Sequence, residues 1–122
     1  MNLNIKQEDL ERLCSAKEII ESNYRFHYTL QELTQRLNTN EYKLKSGFKQ
    51  LYQMSIYAFL TRVRIEKAKE LLNRTDFPIK TIAGRVGFKD ISNFNRNFKK
   101  LTGVAPLVWK RNNVNKFIKG LE

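Results

Sequence analysis

Eight side chains of this sequence form two sets with the same spacing. Tyr42, Lys45, Ser46 and Lys49 stand at positions i, i+3, i+4 and i+7, and Ser92, Asn95, Arg96 and Lys99 repeat that pattern. On a helix, at about 100° per residue, each set gathers on one face. None of the eight is acidic or aliphatic, and each can donate a hydrogen bond. Donors along one helix face suit the edges of base pairs and the phosphates between them. Arg96 can make a bidentate bond to guanine O6 and N7, while Ser92, Asn95 and the flanking Asn93 can bond adenine or other edges. Tyr42 can stack on a thymine methyl or reach a phosphate, and Lys45 either reaches guanine or holds the backbone. Lys49, Lys99 and Lys100 suit phosphates, which give affinity without sequence choice. Free N–H groups at Thr29 and in the helix start Pro78–Lys80, where Ile79 and Lys80 carry them, are further candidates for phosphate at helix N-termini.

Such faces need supporting elements, and an apolar phrase that occurs twice supplies them. Leu30, Leu33, Leu37, Leu44 and Phe48 recur as Ile79, Ile82, Val86, Phe94 and Phe98, the first three shifted by 49 residues and the last two by 50. Each copy predicts two short helices joined by a tight turn, a helix-turn-helix. Thr29 with Glu32 predicts a capping box, and Asn40 and Asp90 predict N-caps for the second helix of each copy. Asn38 and Gly87 suit the turns, where a left-handed residue is useful. Ala83 and, more bulkily, Thr34 fall where the paired helices meet.

Around the two copies, a first helix is expected over 7–22, with Leu10, Leu13, Cys14, Ile19 and Ile20 inward and Tyr24 and Phe26 packing on the core after it. Leu44, Phe48 and Leu51 should face inward from a helix over 40–52. A helix over 55–73 has no Gly or Pro inside and a broad apolar face of Ile56, Leu60, Val63, Ala68, Leu71 and Leu72, so it can serve as a stiff rod. Pro78 suits the first turn of the next helix. Phe94, Phe98 and Leu101 should face inward from a helix over 91–101, which Gly103 ends. Pro106 opens a short final helix with Val108 and Trp109. The tail places Val114, Phe117, Ile118 and Leu121 at helical spacing; it is expected to pack on the domain surface, the sharper alternative being a contact with a partner. The expected fold is all-α, with about seven helices in two helix-turn-helix subdomains joined by a long linker helix. One domain is expected over 1–122, divided as 5–53, 55–73, 76–111 and a tail over 112–122.

Charge agrees with a polyanionic partner: 23 Lys and Arg face 12 acids in 122 residues, a net +11. His27 and Cys14 are the single residues of their types. They exclude a multi-histidine metal site and leave no Ser/His/Asp or Cys/His set, so neither an enzyme nor a cofactor is expected. No run approaches the roughly eighteen apolar residues of a membrane span, and the polar N-terminus does not read as a signal peptide, so a cytoplasmic protein is expected. The competing reading is a basic helical module that binds an acidic protein or RNA.

From Tyr28 to Arg111, about 80 of the 122 residues, the chain resembles the DNA-binding domain of the AraC/XylS transcription regulators. The carriers run from Leu30 and Leu33 to Phe48-Lys49, then Arg64-Ile65, Ala68 and Leu71-Leu72. After them come Pro78-Ile79, Ile82-Ala83, Val86-Gly87-Phe88, Phe94, Arg96, Phe98-Lys99, Gly103 and Pro106. The resemblance implies two helix-turn-helix subdomains entering successive major-groove segments of double-stranded DNA. It implies DNA contacts from Tyr42, Lys45, Ser46, Ser92, Asn93 and Arg96. It also brings in a separate sensing or dimerisation domain and RNA polymerase as partners, and the chain is either a stand-alone regulator or part of a longer one. Two departures stand out. Gln53 occupies a position where the family usually has glycine, so that helix is expected to end differently. Ser46 occupies a position where arginine is common, so the first copy is expected to read fewer bases.

Overall fold

The computed structural model describes residues 4–121. Among them are seven helices and no strand: α1 Gln7–Ser22, α2 Leu30–Leu37, α3 Glu41–Tyr52, α4 Ile56–Arg74, α5 Ile79–Arg85, α6 Ile91–Thr102 and α7 Pro106–Leu121. The chain divides into two compact units, residues 1–61 and 62–122, with the division falling inside α4.

In the first unit, Leu13, Ala16 and Ile20 of α1 form a one-sided apolar stripe. They are buried with Leu33 of α2, Leu44 and Phe48 of α3 and Leu60 of α4. Phe48 anchors this core, with its ring centroid 4.6 Å from Tyr52 and 5.7 Å from Phe59. Gly47 lets α1 and α3 approach closely, because a Cβ there would lie 2.9 Å from Cδ1 of Leu13. The Tyr52 hydroxyl donates to the Leu13 carbonyl at 3.5 Å. Burial, and then a hydrogen bond with Cys14, push its pKa up to about 12.

The second unit buries Ile65, Ala68 and Leu72 of α4, Ile82 and Ala83 of α5, Val86, Phe88, and Phe94 and Phe98 of α6. Phe88 packs edge-on to Phe94 at 5.3 Å, and the Arg64 guanidinium lies 5.7 Å above the Phe88 ring. Arg64 and Thr61 are buried although neither belongs to the apolar face expected of α4.

The turns account for the 49-to-50 shift. Asn38 (φ 53°) and Gly87 (φ 108°) take the same left-handed place. Thr39 N–H donates to Thr34 C=O at 3.0 Å, and Phe88 N–H donates to Ala83 C=O at 2.9 Å, closing rings of the same size. The caps Asn40 and Asp90 come next, with Lys89 as the additional residue between Phe88 and Asp90.

Several expectations are corrected. Cys14 is exposed, because the stripe centred on Leu13, Ala16 and Ile20 turns it outward. Phe26 is exposed beyond the end of α1, whereas Tyr24 packs on the core. Leu101 is 47% exposed, since the seven-residue α5 cannot underlie all twelve residues of α6. Pro78 precedes α5 as its N-cap and lies outside its first turn. The final helix is long, sixteen residues, and Val114, Phe117, Ile118 and Leu121 are exposed on it instead of packing down.

Gln53 does not change how α3 ends. It adopts φ 62° and its N–H donates to Lys49 C=O at 2.9 Å; Gly103, at φ 89°, does the same to Lys99 at 2.8 Å after α6. A side chain in the left-handed region costs about 1 kcal/mol that glycine avoids. Gln53→Gly should therefore raise the unfolding free energy by about 1 kcal/mol in urea titration. A loss of stability would contradict this account of the cap.

Candidate nucleic-acid interface

The two donor faces form because their opposite sides are fixed. Leu44 and Phe48 are buried behind α3, and Phe94 and Phe98 are buried behind α6. Tyr42, Lys45, Ser46 and Lys49 are all exposed on α3, with Tyr42 at 80%. Ser92, Asn95, Arg96, Lys99 and Lys100 are likewise exposed on α6. Within each unit the expected residues therefore lie together on one solvent-facing surface.

Each helix start is tied by its cap. Asn40 Oδ1 accepts from Lys43 N–H at 2.9 Å, and Asp90 Oδ1 accepts from the N–H groups of Ser92 at 2.7 Å and Asn93 at 3.2 Å. These bonds fix the first turn, from which Tyr42 and Ser92 project. Asn93 is half-buried, and Asn97 Nδ2 donates to its Oδ1 at 2.8 Å and to its backbone oxygen at 2.9 Å. That contact aims the Asn93 amide and occupies one of its acceptor sites.

Thr29 does not present the free N–H expected of it. Its N–H donates to Glu32 Oε1 at 3.2 Å, its hydroxyl donates to the same oxygen at 3.0 Å, and its Oγ1 accepts from Glu32 N–H at 3.1 Å. The capping box that starts α2 uses these groups and sets a carboxylate where a phosphate would come. Lys80 is exposed on the first turn of α5, whose cap Pro78 has no N–H.

An apolar cleft of about 400 Å³ adjoins the second face. Ile79, Ile91, Pro106 and Leu107 line it beside Asn95, Arg96 and Lys99. The reading of donors alone missed Ile91 and Leu107, both exposed. Ile91 lies one turn before Asn95, so the same rotation would have found it. Among the described residues no group of His, Cys, Asp or Glu is placed to hold a metal ion, and no helix is long and apolar enough to cross a membrane.

A family of helix-turn-helix domains matches residues 33–112. The chain is 31% identical over 108 residues to the raffinose operon transcriptional regulatory protein of Pediococcus pentosaceus, a match covering 88% of this chain and 39% of that protein. It is similar to the C-terminal domain of AraT, a response regulator from Geobacillus stearothermophilus, with a TM-score of 0.78 and 34% identity over 83% of this chain and 84% of that one. A probable AraC family transcriptional regulator from Rhodopseudomonas palustris is similar at a TM-score of 0.73 and 26% identity, covering 79% and 91%. The chain spans less than two fifths of the length of the curated relatives it matches.

Proposed function

The chain belongs to the AraC-type family of DNA-binding helix-turn-helix transcription regulators, and from that premise we propose that it reads one asymmetric duplex site with α3 and α6 in successive major-groove segments. The observation that carries this reading is the pair of exposed, acid-free donor faces, each backed by a buried phenylalanine. Tyr42, Lys45 and Ser46 read bases in one segment, and Ser92, Asn93, Asn95 and Arg96 read them in the other. Lys49, Lys80, Lys99 and Lys100 hold phosphates. Thr29 is left out, because binding a phosphate there would require opening its capping box.

We assign 1–122 to a single DNA-binding domain, with helix-turn-helix subdomains over 5–53 and 76–111, a linker over 55–73 that α4 supplies from Ile56 onward, and a tail over 112–122. A separate sensing or dimerisation domain and RNA polymerase are the further partners of a regulator of this class, which acts in the cytoplasm on DNA. The family is one of regulators, not enzymes.

Titration against duplex DNA and against RNA of equal length tests the reading. Sequence-dependent binding to duplex is expected, and equal affinity for RNA would overturn it. Lys99→Ala should weaken binding evenly across sequences and reduce the slope of log affinity against log salt by about one unit. A changed sequence preference with the slope intact would contradict the phosphate role of Lys99.

A further inference from the structure

We propose that Asp9 restrains Lys43 and so withholds one cation of the first reading helix from the DNA backbone; the inference rests on the DNA-binding function proposed for the two donor faces. The close crossing of α1 and α3 at Leu13 and Gly47 brings Asp9 and Lys43, each one turn earlier on its helix, opposite one another. Lys43 Nζ lies 3.7 Å from Asp9 Oδ2, and Arg12 holds the other carboxylate oxygen, Oδ1, at 3.2 Å. The Asp9 side chain is only 17% exposed, so the pair is less screened than one in open solvent. A cleft of about 300 Å³ lined by Lys6, Asp9, Tyr42, Lys43 and Ser46 joins this pair to the reading face.

Position 43 matters because its counterpart in the second copy, fifty residues on, is Asn93, a base-reading candidate. Both positions flank the donor face of their helix, and both are tied by a neighbouring side chain. Asn93 is tied by neutral Asn97 on its own helix, whereas Lys43 is tied by a carboxylate on another helix. The second tie offsets the charge that phosphate binding needs. Lys43 is therefore a held reserve of affinity, and Asp9 is a positioning residue acting through it.

The test measures the affinity of the whole chain for its best duplex at 50 and 200 mM salt. Asp9→Asn keeps the shape and removes the charge. It should bind more tightly at 50 mM, and its affinity should fall by an additional factor of about 3–4 over that salt range, the cost of one more phosphate contact. Lys43→Ala should leave the salt slope nearly unchanged in the unaltered chain and abolish the added slope in the Asp9→Asn background. An Asp9→Asn slope equal to that of the unaltered chain would overturn the proposal. So would a loss of about one unit of salt slope on Lys43→Ala in the unaltered chain, which would mean that Lys43 already contacts phosphate and which that variant reports even if Asp9→Asn folds poorly. No duplex binding by the unaltered chain would instead overturn the DNA-binding reading itself.

Discussion

Phe98→Ala should lower the unfolding free energy by about 3–5 kcal/mol, the loss expected when a fully buried aromatic is truncated. Phe98 has no exposed surface, and its ring centroid lies 5.7 Å from Phe94 and 5.9 Å from Trp109, the latter pair nearly edge-to-face at 82°. Truncation would leave a void that Phe94 and Trp109 cannot close without leaving their own packing. Trp109 is the single tryptophan of the chain, so its fluorescence reports this core directly during denaturant titration. Since Phe98 fixes the rotation of α6, the same cavity should also loosen the face that carries Arg96. Full stability in this variant would mean that α6 is not held by its aromatic side, and the assignment of the opposite face would lose its support.

Arg96→Ala should weaken the best duplex site by about 1–3 kcal/mol and relax the preference at one base position while leaving the fold intact. Its side chain is exposed on the α6 face, so truncation creates no cavity. A guanidinium can bond guanine O6 and N7 together, which no other base pair offers in the same pattern. The matching position of the first copy holds Ser46, whose short hydroxyl reaches less far. The second segment of the site should therefore be the more strictly defined of the two. An unchanged sequence preference, measured over all single-base variants of the site, would contradict this role for Arg96.

Local chemistry made much of the fold legible. Thr29 and Glu32, Asn40, and Asp90 announce three helix starts because capping depends only on residues within one turn, and all three caps form. The 3.6-residue period fixed the phase of α3 and α6, and with it the outward placement of the two donor faces. Burial at the edges was less legible, because it depends on what lies across from a residue. Leu101 and Phe117 have the apolar character and spacing of core residues, yet the described chain leaves them 47% and 67% exposed. Cys14 misled for another reason: the stripe on α1 is narrower than its composition suggests. Gln53 was misjudged from residue type, since a non-glycine can hold a left-handed cap at modest cost. Long-range pairs such as Lys43 with Asp9, or Gly47 with Leu13, join different helices, and no periodicity within one helix reveals them.

The central claim, that one chain reads duplex DNA through two different helices, is tested most directly by selecting bound sequences from a random duplex pool. The expected result is an asymmetric site with two preferred segments about ten base pairs apart, centre to centre. A single preferred segment, or no sequence preference at all, would contradict it.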